Sequence, residues 1–401
     1  MSLPMLRKKK ANLSVIRIHK LILMLFIGVI MVDPTNMIFH KKEIAFVGFM
    51  AFAVIGGMIK LYAEQIRYSL MLFSLAILSV AIGYIFFDSD LSGSVSYFKA
   101  LLFVSVAFAL SKLTIEDIIK CIFYVGTFLS MYIVGLFVSY TTNIINLNTM
   151  VDVAVDADST VMIAMRNTLG IDMLMFFYKS MPFCLFALMY AMRNNLLIPI
   201  IVISISIIIG GSRTPILMGM AVVIYVLCTK SKNVLKYLTP FFLCSALIYL
   251  VLALLSVDNR GEGDDLKYKT IEGLLNQSSL FSHGVGAMYF TTERGMVSNS
   301  EVTYFEMLFQ YGWLFFPLVL YIFFSPVIKI FKGAKDYLTK DFAIAYLAYL
   351  VNAGTNPLLI NSTGMFVFAC AITIMSKVKA GKMKLQSTKV SDNDSDITGN
   401  L

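Results

Sequence analysis

The sequence predicts an all-α polytopic integral membrane protein with about twelve transmembrane helices and one large outward loop between helices 9 and 10. Three observations predict it. Of 401 residues, 58% are hydrophobic and only 14% charged, with a mean hydropathy of +0.80, well outside the composition of soluble domains. The apolar residues gather into runs close to the roughly twenty residues that a helix needs to cross hydrocarbon. One stretch breaks that rhythm: residues 258–301 form the single long polar piece between closely spaced apolar runs.

The chain opens on a basic segment, residues 1–16, carrying Arg7-Lys8-Lys9-Lys10. The apolar run that follows from Leu21 imitates a signal peptide, but it reaches Asp33-Pro34 without a small-residue cleavage site and is expected to stay as the first span. Spans one to nine occupy residues 17–257, starting near 17, 44, 68, 95, 118, 172, 196, 213 and 237. The loop 258–301 follows, then spans ten to twelve over 302–376, starting near 302, 341 and 359. Asn352, Asn356, Pro357 and Asn361 interrupt the last two and leave a re-entrant pair open. The tail 377–401 is rich in Ser, Asp, Asn and Lys and is expected to be disordered from Gln386. All five cysteines, Cys121, Cys184, Cys228, Cys244 and Cys370, fall in apolar runs, so they read as packing residues without a disulfide framework or metal-ligand spacing.

The net charge of +9 would suggest nucleic acid in a soluble protein; here its placement follows membrane topology instead. Twenty-three of the 33 lysines and arginines collect in alternate connections: Arg7 to Lys20, Lys60 and Arg67, Lys112 and Lys120, Arg193, Lys230 to Lys236, Lys329 to Lys340, and Lys377 to Lys389. The positive-inside rule then puts both termini in the cytoplasm and the loop 258–301 outside. Lysine obeys the rule more closely than arginine. Arg166, Arg213, Arg260 and Arg294 all fall on the outer side, where positive charge needs another reason; a planar fork that grips phosphate or carboxylate bidentately supplies one.

Spans seven and eight meet at Gly210-Gly211-Ser212-Arg213-Thr214-Pro215, a turn too short to leave the interface. It sets the Arg213 guanidinium at headgroup level, beside a helix N-terminus that also attracts anions. The plainer reading pairs Arg213 with ordinary lipid phosphate. Further on come His283-Gly284-Val285-Gly286, Asn299-Ser300-Glu301, Tyr304-Phe305-Glu306-Met307-Leu308 and Tyr311-Gly312-Trp313. In this order and spacing, over about residues 207 to 316, the motifs resemble the O-antigen polymerase and O-antigen ligase superfamily.

The resemblance implies glycan transfer on the outer face of the inner membrane. The donor would be an oligosaccharide repeat unit on undecaprenyl pyrophosphate. An acceptor hydroxyl attacks the anomeric carbon and lipid pyrophosphate leaves, with no cofactor and no metal. A chain-length regulator and the flippase of the same pathway are the further partners implied. On this reading Arg213 holds pyrophosphate, with Arg260 and Arg294 as second contacts and Arg166 near the sugar. The alternatives for these three are pairing with Glu262, Asp264, Asp265 or Glu293, and with Asp152, Asp156 or Asp158. Ligases of the superfamily carry a histidine just before the tenth span, where this chain has Asn299-Ser300-Glu301, and that departure favours a polymerase. Glu301 is the first candidate for general base, or else a charge placed to favour the helix start. His283 is the second candidate, or simply a solvated loop histidine.

Two other classes compete. A transporter or lipid flippase would suit about twelve helices, but no internal repeat is visible. A metal-dependent lipid-phosphate-sugar transferase needs paired acids in the first outward loop, which offers only Asp33 and Glu43. Leu266, Ile271, Leu274 and Leu275 form an imperfect helical stripe within the large loop, fitting a short helix that lies on the membrane or braces the bundle.

Overall fold

A backbone in lipid finds no water to bond, so apolar runs of this length fold as helices. A computed structural model describes residues 3–34, 41–90, 92–142, 161–168, 171–230, 262–291, 295–297, 302–354 and 358–397, with backbone alone over 3–13, 161–162, 164–168, 171–173, 262–266 and 382–397. In chain order come α1 (Leu3–Val32), α2 (Lys42–Ile55), α3 (Ala63–Phe87), α4 (Ser94–Leu102), α5 (Val106–Leu110) and α6 (Ile115–Thr141). An antiparallel hairpin of β1 (Val161–Thr168) and β2 (Ile171–Tyr178) follows, then α7 (Cys184–Arg193), α8 (Leu197–Ile209), α9 (Arg213–Lys230) and α10 (Glu262–Gln277). A second, smaller hairpin, β3 (Tyr289–Thr291) with β4 (Gly295–Val297), precedes α11 (Thr303–Gly333), α12 (Tyr337–Ala353) and α13 (Ser362–Ile397).

Among the described residues six helices are long and apolar enough to cross a membrane: Ser14–Val32 of α1, α3, α6, α9, α11 and Ser362–Gly381 of α13. Ser94–Leu110, Met181–Arg193 and α8 are shorter apolar helices. The chain is thus a mainly helical membrane protein. The span expected from about residue 237 lies outside the described residues.

Helix direction alternates, and side-chain contacts sort the helix ends into two groups. At one end His19 of α1 bonds the Ala109 carbonyl of α5 at 3.0 Å, Gln65 of α3 bonds the Ala107 carbonyl at 2.8 Å and Thr373 of α13 at 3.0 Å, and Lys20 pairs with Asp117 at the start of α6. Lys377 reaches the Ser111 carbonyl and Lys379 reaches Glu64 in the same region. At the opposite end Tyr178 donates to the Val32 carbonyl and Thr363 to that of Ile30, at 3.4 Å for the latter. Capping sets where helices begin: Thr114 Oγ1 accepts from Asp117 N at 3.1 Å, and Asp336 Oδ1 from Thr339 N at 2.7 Å. The core threads between these ends. Phe26 stacks on Phe49 at 4.9 Å and meets Phe103 and Phe366 at 6.2 Å, and α13 is the most enclosed of the six long helices.

Three elements differ from the sequence reading. The run expected to open a span near residue 172 is strand β2, paired with β1 in the register Val161↔Tyr178 to Thr168↔Ile171, and helix begins only after Ser180. A short aromatic and aliphatic run has the same hydropathy in either state, so hydropathy alone does not separate them. Arg166, expected in an irregular outward loop, sits on β1 opposite Met173. The tail expected to be disordered from Gln386 continues α13 as helix to Ile397. No proline interrupts it, and a helix already nucleated by a span propagates with one bond per added residue.

Candidate functional site

The turn between α8 and α9 has the form its glycines require. Gly211 adopts φ +59°, a left-handed conformation that side chains resist. A Cβ there would press on Met175 of β2 at 2.8 Å, so the turn is packed directly against the first hairpin. Arg213 is the first residue of α9, half-buried at the end of the bundle where β2 meets α1.

The large loop is mostly ordered structure over its described part. Leu274 of α10 is fully buried with Ala287, Tyr289, Val302 and Phe309, and Ile271 packs on this small cluster, so that edge of the stripe braces the bundle. Gln277 holds the second hairpin through both amide atoms: Nε2 donates to the Phe290 carbonyl at 2.8 Å, and Oε1 accepts from Phe290 N at 3.0 Å.

Between α10 and β3 the chain descends into the helices. Ser282 lies 2.6 Å from Ser79 of α3, Ser94 at the start of α4 donates to the Val285 carbonyl at 2.6 Å, and Met288 N donates to the Asp90 carbonyl at 3.2 Å. Two glycine contacts let backbone lie on backbone. A Cβ on Gly83 would collide with the His283 carbonyl, and one on Gly93 would stand 2.6 Å from the Gly286 carbonyl.

This insertion is matched by a break in α11. Gly312 has φ +69° and ψ 165°, which interrupts the helical ladder. The freed donors and acceptor are taken up by the loop and by α3. Trp313 N donates to Ser279 O and Leu314 N to Leu280 O, both at 3.1 Å, while Gln310 O accepts from Gly284 N at 3.2 Å and from Ser79 Oγ at 3.0 Å. Irregular backbone packed among helices loses its water partners, and these bonds replace part of them.

His283 sits in the same insertion. Its ring stacks on Phe309 at 4.5 Å and meets Phe87 at 4.2 Å, and Nε2 is buried with no hydrogen-bond partner among the described residues. Burial between these rings pushes its pKa below the ordinary 6.5, against a hydrogen bond to the Gln277 backbone carbonyl that works the other way. The imidazole is therefore neutral at physiological pH, and it is a packed residue, unlike the solvated loop histidine that was the plainer expectation.

Arg260, Arg294 and Glu301 lie outside the described residues, and Arg166 is described by its backbone alone. Of the six candidate residues, Arg213 and His283 are those with described side chains, on two different walls of the same end of the bundle. Sequence reasoning gave little weight to a buried polar row along α4 and α11. Glu306 accepts from Gln310 Nε2 at 3.0 Å, and Tyr97 and Tyr311 share a hydroxyl contact at 2.7 Å. The usable signal was the i, i+4 spacing of Glu306 and Gln310 in an otherwise apolar helix. A second unassigned group gathers at the end of α1, where buried Asp33 lies within electrostatic reach of Lys42, Tyr132 and Tyr178. Among the described residues no three His, Cys, Asp or Glu side chains come together as a metal site would need.

No family model matches the chain, and no curated protein matches it. The class of the molecule, a mainly helical membrane protein with a loop seated among its helices, therefore rests on its own fold.

Proposed function

We propose that this protein polymerises polyprenyl-pyrophosphate-linked oligosaccharide repeat units on the outer face of a bacterial inner membrane, as O-antigen polymerases do. The observation that carries the reading is Arg213 as the first residue of α9, directly after the Gly210-Gly211 reversal. A guanidinium stands there at the positive end of a helix, a setting that suits a pyrophosphate. With a ninth span over residues 237–257 the chain would make about twelve crossings. Both termini would then be cytoplasmic, and the α8–α9 turn and the loop 258–301 would face outward.

In this reading Arg213 neutralises the charge that develops on the departing lipid pyrophosphate. Arg260 and Arg294 add contacts from the loop, and Glu301 takes the proton of the acceptor hydroxyl. The packing of His283 between Phe87 and Phe309 favours Glu301 over it as the base. The acceptor is another lipid-linked repeat unit.

The test is the lipopolysaccharide ladder of cells lacking the chain, complemented by wild type and by Arg213→Ala. Core bearing one repeat unit, with the ladder restored by wild type alone, supports the polymerase. Core bearing no repeat, with polymerised lipid-linked glycan accumulating outside, points to a ligase. Its absence outside points to a flippase.

A further inference from the structure

The break in α11 places a piece of the outward loop where water does not explain its surface. Leu280 and Phe281 are 58% and 50% exposed, and the residues whose backbone lies against them, Trp313 and Leu314, are each 53% exposed. Four large apolar side chains in one patch are more than scattered surface hydrophobics, and such a patch marks a contact with something apolar.

The occupant follows from continuity. Trp313 to Gly333 is the uninterrupted part of α11, rising roughly 30 Å at about 1.5 Å per residue, the thickness of the hydrocarbon. Trp313 therefore stands at one boundary of that span, the level that tryptophan favours. Leu280 and Phe281 share its level, because Trp313 N bonds Ser279 O and Leu314 N bonds Leu280 O.

The carbonyls of three successive residues are all occupied: Ser279 and Leu280 accept from α11, and Phe281 accepts from the Ser279 hydroxyl. The headgroup level supplies partners for the N–H groups of this turn, as the acyl core would not.

We propose that residues 279–281 are a re-entrant tip seated at the outer-side interface of the bilayer, where headgroups give way to acyl chains, with Leu280 and Phe281 against lipid beside Trp313. The tip is a lipid-binding surface of the loop, and it holds whatever reaction the chain performs. It differs from the stripe on α10, whose Leu274 is spent on the protein core.

Trp313 is the only tryptophan, so single-tryptophan variants report depth directly. Full-length protein is placed in nanodiscs of phosphatidylcholine brominated high on its acyl chains. Phe281→Trp combined with Trp313→Phe is compared with wild type, and Tyr268→Trp combined with Trp313→Phe serves as the aqueous control at a 71% exposed position. The expected result is bromolipid quenching at position 281 of at least about half that of wild-type Trp313, with acrylamide quenching several-fold below the control. Quenching by acrylamide alone would place the tip in water and overturn the proposal. Quenching by neither would mean that protein covers it, which overturns it equally. If the position 281 variant does not accumulate, Leu280→Trp in the same background decides by the same criteria.

Discussion

Arg193, the last residue of α7, grips Asp341 of α12 with two parallel hydrogen bonds, Nε to Oδ2 and Nη2 to Oδ1, each 2.6 Å long. Nη2 also reaches Thr229 of α9 at 2.8 Å, so one guanidinium ties three helices together at the end of the bundle away from the seated loop. The side chains are 14% and 3% exposed, which makes this an enclosed pair. Arg193→Ala would leave the Asp341 carboxylate buried and alone, a change that costs about 3–5 kcal/mol. Lower thermal stability in detergent and reduced membrane levels are expected, with much of the loss recovered in Arg193→Leu/Asp341→Leu. Unchanged melting of the single variant would show that the pair carries little weight.

Arg213 is expected to behave in the opposite way. Arg213→Ala should abolish polymerisation while membrane levels stay normal, and Arg213→Lys should recover little, since a point charge lacks the bidentate fork. Each charged hydrogen bond is worth about 1.5–3 kcal/mol, so the loss of one lowers the rate by about one to two decades. Initial rates of repeat-unit coupling in membranes, normalised to protein amount, measure it.

Gly312 tests the seating of the loop. Its φ of +69° excludes most side chains, and a Cβ would collide with the Phe281 backbone. Gly312→Ala is expected to lift residues 279–284 from α3 and to cost about 1–3 kcal/mol from backbone strain alone. Faster hydrogen exchange at the amides of residues 279–288, with α6 and α12 unchanged, is the expected signature.

His283 predicts a pH dependence of the same segment. Its folded pKa is lowered, so the unfolded or released loop binds the proton more tightly. The stabilisation it gives is complete above the ordinary 6.5 and is lost as pH falls through the lowered folded value. Hydrogen exchange of residues 279–288, taken relative to the intrinsic rate at each pH, should therefore accelerate as pH falls below 6.5. His283→Gln should flatten that acceleration; an identical pH profile in the variant would assign it to another group.

The long helices were legible because hydropathy over about twenty residues reports the environment directly. The α8–α9 reversal was legible too, since Gly210, Gly211 and Ser212 are turn residues in an apolar setting. Strand β2 was not, because Phe176, Phe177 and Tyr178 are equally apolar in a strand or a helix. Nor was the break at Gly312: the run from Thr303 to Gly333 reads as one span, and only φ shows that the chain turns there. The seat of the loop was the least visible feature. Ser79 and Gly83 look like ordinary small residues of α3, and nothing local in the sequence points to partners in a loop so far along the chain. His283 misled for a related reason, since a polar neighbourhood in sequence gave no hint of Phe87 and Phe309 in space.

The contact between Ser79 and Ser282 joins positions 203 residues apart. At about 5–20 residues per second, roughly ten to forty seconds of translation separate the two. Throughout that interval the small-residue face of α3 is already in the membrane while its partner is still unmade. Maturation of the end that carries the loop is thus a late event of biogenesis, governed by the arrival of the last third of the polypeptide. A ribosome stalled before Ser282 would release a bundle with its seat empty.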